Sequence, residues 1–281
     1  MPSLVESSRR LLRTAMPAAA YRSLARRYGA WSSARRIGFS EYRRLREVAT
    51  ADPAAPPVRF HPPMLAHPVL LRPGTTDALV FESNLAREAY ACVRGTIEPQ
   101  LIVDAGANVG FASAYFLSRF PNARVLALEP EPANLALATR NLAPYGPRVT
   151  LLPYALWHER TVLRVCAGPR EDSARVEPGD GSGDGCVSID PSSLLELVGA
   201  SRIDLFKIDI EGAEVELFRH APERWIEKTD IIVMEIHGRR AREVVYSVMS
   251  RHRFDTRQHR DLHVFVRARR TRASATGDAG R

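Results

Sequence analysis

From about residue 64 onward, short runs of β-branched and leucine residues alternate with stretches of helical periodicity. No other feature constrains the fold as much. The strand-like runs are 101–103, 124–128, 149–152, 203–208 and 231–234, and helical patterns occupy 111–119, 133–142, 192–198, 214–220 and 239–249. Runs that are apolar at nearly every position belong to strands buried on both faces, which predicts a mostly parallel sheet with helices on each side. The last two runs, 253–257 and 262–266, lie too close together for a crossover helix and predict an antiparallel hairpin closing one edge. Ahead of the sheet, 69–71 and 79–81 read as two strands joined by the turn 73–77, followed by a helix over 84–93.

Four segments follow from the same pattern: a basic helical arm over 1–50, a Pro-rich linker over 51–63, one α/β domain over 64–268 and a basic tail over 269–281. The arm carries leucine and tyrosine at helical spacing, interrupted at Pro17, and either packs on its own domain or meets a membrane surface or a partner protein. Charge is partitioned along the chain. The net +8 is made of +8 in residues 1–50, +6 in 251–281 and −6 in between, so the domain itself is acidic and a uniformly basic nucleic-acid surface is excluded. Three scattered cysteines, Cys92, Cys166 and Cys186, support neither a zinc knuckle nor a disulfide framework, and a reducing cytoplasmic setting is expected. No apolar run reaches the roughly 18 residues that would cross a bilayer.

Chemistry-bearing residues gather at the strand ends. The run Leu101-Ile-Val-Asp-Ala-Gly-Ala-Asn-Val-Gly110 places Asp104 at the end of a strand, with Gly106 and Gly110 leading into a helix. Such glycines allow a tight turn and a close ligand approach. The spacing lacks both Gly-x-Gly-x-x-Gly and Gly-Lys-Ser/Thr, so a dinucleotide or triphosphate cradle is not indicated. The next strand ends at Glu129. There a carboxylate either receives the two hydroxyls of a ribose or caps the helix that follows, and the order of the two signals favours the ribose. In Phe206-Lys-Ile-Asp-Ile-Glu-Gly-Ala-Glu214, the alternation of Lys207, Asp209 and Glu211 puts three charges on one side of an extended chain. Three such charges are costly in a core and acceptable at a ligand crevice, although a Lys–carboxylate ion pair of purely structural purpose has the same pattern. Lys207 is one of only two lysines in a chain that otherwise uses arginine.

Together these segments resemble the FkbM-type methyltransferases, which use S-adenosylmethionine. Leu71-Arg-Pro-Gly-Thr-Thr-Asp77, Ser188-Ile-Asp190 and Met234-Glu-Ile-His237 support the resemblance, which covers roughly 64–267. It implies a Rossmann-like class I methyltransferase fold with a seven-stranded sheet. It also implies that Asp104, Gly106, Asn108 and Gly110 surround the amino-acid part of the cofactor, with Glu129 on its ribose and Pro153–Leu156 beside its adenine. Tyr154 stands where many such enzymes have Asp or Asn, so a backbone group at Ala155 is the expected adenine contact. The implied reaction is methylation of a small-molecule hydroxyl on a sugar, glycolipid or polyketide-like compound.

Removing the hydroxyl proton requires a base, and Asp209, Glu211, Glu235 and His237 are the candidates. His237 has the ordinary pKa best matched to neutral pH, while an isolated histidine at a strand end is more often structural. Asp209 and Glu211 are equally suited to hold a divalent ion, and no metal ligand is assigned from sequence. The Gly-rich stretch 171–185 reads as a loop near the cleft. A nicotinamide-dependent dehydrogenase on the same scaffold, or an inactive core with nucleic-acid- or membrane-binding basic ends, are the competing readings.

Overall fold

The structure is a computed structural model that describes residues 18–166, 175–178 and 185–268. Its centre is a seven-stranded sheet. In chain order its strands are β3 (Leu101–Ala105), β4 (Arg124–Leu128), β5 (Val149–Leu152), β10 (Ile203–Ile208), β11 (Thr229–Met234), β12 (Phe254–His259) and β13 (Leu262–Arg267), and in space they run β12-β13-β11-β10-β3-β4-β5. The pairs among β5, β4, β3, β10 and β11 are parallel, while β13 pairs antiparallel with β11 and β12. This is the α/β sheet with a closing hairpin that the sequence pattern predicts.

Period-two burial explains why the strand runs are apolar throughout. Ile102, Val125, Leu205, Ile231 and Val264 join the core on one face, while Val103, Leu126, Phe206, Ile232 and Phe265 join the core on the other. The first face is covered by α4 (Phe111–Arg119) and α5 (Pro132–Leu142), the second by α6 (Pro191–Leu197), α7 (Glu214–Arg219), α8 (Glu223–Ile226) and α9 (Arg239–Arg251). Truncating a fully buried ring such as Phe206 would cost about 3–5 kcal/mol.

Helices α1 (Ala18–Ile37) and α2 (Phe39–Val48) lie before the sheet, and Ile37, Leu45 and Val48 belong to the same core as Phe60, Phe81 and Phe111. Within the Pro-rich stretch, β1 (Val58–Phe60) pairs antiparallel with β2 (Val69–Leu71). Residues 79–81 are not the expected second strand. They lie in α3 (Asp77–Phe81), because the Asp77 carboxylate accepts from the backbone N–H of Arg72 (2.8 Å) and from its guanidinium (2.7 and 3.0 Å), turning the chain. The expected helix over 84–93 is broken by Glu88 at φ 50° into a π turn (Glu82–Ala86) and a 3-10 helix (Ala89–Val93).

A second sheet was not foreseen. Strands β6 (Tyr154–Leu156), β7 (Val162–Cys166), β8 (Arg175–Pro178) and β9 (Gly185–Ile189) form it in the order β6-β9-β7-β8. The predicted loop over 171–185 therefore contains β8, drawn into the sheet by antiparallel pairing with β7. Residue 185 begins β9, and 171–174, 179–184, the stripe 4–16 of the arm and the tail 269–281 lie outside the described residues. Among the described residues no helix is long and apolar enough to cross a membrane.

Candidate active site

The chain passes from β3 outward to β4 and β5, then returns to the other side of β3 for β10 and β11. The order thus reverses between β3 and β10, and in open α/β sheets the ligand crevice lies beyond the carboxyl ends of the strands at such a point. Asp104 and Ala105, Lys207 and Asp209, Glu129, and Glu235 to His237 all sit at these ends.

The glycine loop after β3 is fixed by its backbone. Gly106 N–H and Ala107 N–H both donate to Leu128 O, and Asp209 N–H donates to Ala105 O, so β4 and β10 hold the loop from either side. Gly106 has φ +74°, and a Cβ there would lie 1.9 Å from the carbonyl oxygen of Asp209. The close approach of these two strand ends is what requires glycine. Asn108 also has positive φ (51°), an αL conformation that Asn tolerates better than most residues.

Asp104 and Lys207 meet, but inside the protein. Asp104 is fully buried: one carboxylate oxygen accepts from Ser113 Oγ at 2.6 Å, and the other lies 3.1 Å from Lys207 Nζ. Lys207 is 3% exposed and donates to Ala105 O (3.2 Å) and Gly106 O (2.6 Å). Burial alone would lower the pKa of its ammonium, yet the Asp104 carboxylate, with Tyr90 and Asp209 near, holds it above the usual lysine range. In this structure Asp104 is paired with Lys207, and Lys207 also holds the loop carbonyls of Ala105 and Gly106. Removing one partner of such a pair leaves a buried charge, which is why the pair is coupled to the fold.

Glu129 sits at the end of β4, 5% exposed, and accepts from Asn108 N–H (2.7 Å) and Glu131 N–H (2.9 Å). Burial raises its pKa, and these backbone donors work against that. The helix cap expected as its alternative role belongs to Glu131, whose side chain accepts from Ala133 N–H at 3.4 Å. Glu129 is thus anchored to the glycine loop, with its carboxylate at the strand end.

Across the crevice, β10 stops at Ile208 and Glu211 turns back at φ 46°, followed by Gly212 at φ 97°. The three charges therefore do not share one extended face. Asp209 stays with Lys207 (3.7 Å), whereas Glu211 lies 3.4 Å from His237 Nε2. His237 Nδ1 is 2.6 Å from Oε1 of Glu214, the first residue of α7 and 0% exposed. That contact raises the His237 pKa to about 9 against the opposing effect of burial, with Glu211 and Asp209 adding to it. His237 is therefore mostly imidazolium at neutral pH, and the neutral base that its ordinary pKa suggests forms only as pH rises toward about 9. Burial first, then Asp209, pushes Glu235 up to about 7. Asp209, Glu211 and His237 each offer a ligand atom within 4.8 Å of the others, an arrangement that could hold a metal ion.

Tyr154 and Ala155 lie on β6 of the second sheet, Tyr154 half-buried and Ala155 buried, so that sheet borders the end of β5.

A family model described as the methyltransferase FkbM domain matches residues 104–272. The chain belongs to the FkbM methyltransferase family. "Methyltransferase sdnD" of Sordaria araneosa is 30% identical over 168 residues, which make up 48% of this chain and 65% of that protein. "AMB antimetabolite synthetase AmbE" of Pseudomonas aeruginosa is 26% identical over 201 residues, 57% of this chain but only 10% of that protein. The chain thus spans less than two thirds of the length of these relatives. Among solved structures, the methyltransferase FkbM of Methylobacillus flagellatus matches with a TM-score of 0.45 at 16% identity, covering 68% of this chain and 53% of that one.

This FkbM methyltransferase brings together most of the residues singled out from its sequence, and adds two that were not. Glu214 closes the quoted Phe206–Glu214 segment, and its position two residues after Gly212 was the available signal. Ser113 carried no signal beyond lying on the helix that follows the glycine loop.

Proposed function

We propose that this FkbM methyltransferase is an S-adenosylmethionine-dependent O-methyltransferase acting on a hydroxyl of a small molecule such as a sugar, glycolipid or polyketide-like compound. The observation that carries the reading is the His237–Glu214 pair at the open end of β11, 2.6 Å apart with the carboxylate wholly buried. A carboxylate on Nδ1–H fixes the tautomer, leaves Nε2 to face the crevice, and stabilises the imidazolium that forms when Nε2 takes a proton. That is the equipment needed to deprotonate an alcohol.

The donor set suits the cofactor: Glu129 stands at the end of β4 for a ribose, and Asp209, Glu211 and Glu235 make the crevice acidic, which favours a cationic ligand. When bound, S-adenosylmethionine supplies a methyl group already activated by its sulfonium. The chain contributes orientation and proton handling. Lys207 pins the carbonyls of Ala105 and Gly106, Glu129 pins Asn108, and His237 Nε2 accepts the hydroxyl proton while Glu214 holds Nδ1–H. With His237 as base, activity should rise with pH toward about 9. With Glu235 as base, the rise would centre near 7.

The Asp209–Glu211–His237 group favours a second version of the same reaction, in which a divalent cation on these three residues activates the acceptor oxygen. The test is incubation with S-adenosylmethionine carrying a deuterated methyl group and a panel of sugars, glycolipids and hydroxylated polyketides, read by mass spectrometry. Label in a hydroxyl-derived ether, lost in His237→Gln, supports the reading. Label only on nitrogen or carbon overturns the O-methyl assignment, and loss of activity in EDTA with recovery on adding Mg2+ selects the cation version.

A further inference from the structure

A second group of metal-ligating side chains lies outside the crevice. It joins the turn after β6 to α7: His158 comes from the turn, and Glu216 and His220 from α7 and its C-terminal end, four residues apart. One ligand atom of each residue lies within 4.8 Å of the others. The imidazoles of His158 and His220 are stacked, with ring centroids 4.2 Å apart and planes 25° apart, and His220 Nε2 is 3.1 Å from Glu216 Oε2.

An independent observation concerns His158. Its Nδ1 is buried and has no hydrogen-bond partner, while Nε2 lies 3.5 Å from the exposed carboxylate of Glu159. Buried ring nitrogens are normally satisfied, so an orphaned one on a member of this His/Glu/His group points to a ligand.

The geometry points to a transition-metal site at His158, Glu216 and His220, with Zn2+ as the fitting ion and water in the open position. Two imidazoles and one carboxylate form a borderline donor set that selects Zn2+ over the oxygen-seeking Mg2+ and Ca2+. A tetrahedral ion at about 2.0–2.1 Å from each nitrogen needs ligand atoms roughly 3.4 Å apart. Glu216 Oε2 and His220 Nε2 are already 3.1 Å apart, so only their separation from His158, at most 4.8 Å, has to close, and Glu216 at 40% and His220 at 52% exposure have room to move. Bound there, the ion clamps the second sheet to α7, whose first residue holds His237. The site serves structure and is independent of the methyl-transfer assignment.

The test uses the tag-free full chain, stripped of metal and titrated with Co2+ in place of Zn2+. Visible ligand-field bands should grow to one saturable equivalent that Zn2+ then bleaches. His220→Ala, a half-exposed change that leaves the far-ultraviolet circular dichroism unaltered, should weaken this binding at least about tenfold, and His158→Ala should do the same. The double variant Asp209→Asn/Glu211→Gln, which removes the other candidate group, should keep the bands. Absence of saturable bands in the wild type, their persistence in His220→Ala, or their loss only in the double variant would overturn the site.

Discussion

Glu214→Gln isolates the contact on which the proposed chemistry depends. Glutamine keeps an oxygen that can accept from His237 Nδ1–H but removes the charge. In the wild type that contact is the largest cause raising His237 from 6.5 to about 9. That rise corresponds to roughly 3 kcal/mol favouring the imidazolium. His237 is 28% exposed, so solvent screening reduces this to about 2 kcal/mol. Without the carboxylate, burial lowers the pKa while Glu211 and Asp209 still raise it, and the imidazole should titrate near its ordinary value. The assay is a carbon-13 NMR titration of the His237 ring, assigned through His237→Gln, and it needs no acceptor. Methyl transfer should then reach its plateau at lower pH, with a lower plateau because the imidazolium formed on proton transfer has lost its stabilising carboxylate. The reasoning fails if His237 titrates at the same pH in Glu214→Gln as in the wild type.

Three further outcomes follow from the same geometry. Lys207→Met leaves Asp104 charged and buried without its partner, and should cost about 3–5 kcal/mol, seen as a lower urea midpoint. Gly106→Ala places a Cβ 1.9 Å from Asp209 O at φ +74°. Strain alone is worth about 1–3 kcal/mol, and calorimetry should find S-adenosylhomocysteine binding lost. His237 and Glu235 both have raised folded-state pKa values, so each contributes stability that is complete below its unfolded value and is lost as pH rises through the folded one. Thermal melts should therefore fall from pH 4.5 to 7 through Glu235 and from pH 6.5 to 9 through His237, with the second decline absent in His237→Gln.

The sheet was legible because its strands are buried on both faces, and that leaves unbroken apolar runs such as 203–208. The short run 79–81 was not, since three apolar residues fit a strand or a helix equally well. The bidentate Arg72–Asp77 pair, a local contact between side chains five residues apart, decides for the helix. The second sheet escaped because its pairing is non-local: the three residues of β6 find their partner in β9, across a polar, Gly-rich stretch. In the crevice, residue types at strand ends were readable while their partners were not. Nothing in the order of residues shows that Asp104 turns to Ser113 and Lys207. Nor does it show that Glu214 faces His237, because an acid in the first turn of a helix ordinarily faces water. The reading of His237 as a neutral base rested on that missing partner.

The central claim is that the crevice between β3, β4 and β10 takes S-adenosylmethionine, with Glu129 on its ribose. Calorimetric titration of S-adenosylhomocysteine into the full chain and into Glu129→Ala tests it most directly. Binding should be saturable at one site and weaken at least about tenfold in the variant, through the loss of a charge-assisted hydrogen bond. Binding of NAD in place of S-adenosylhomocysteine, or equal affinity in Glu129→Ala, would contradict it.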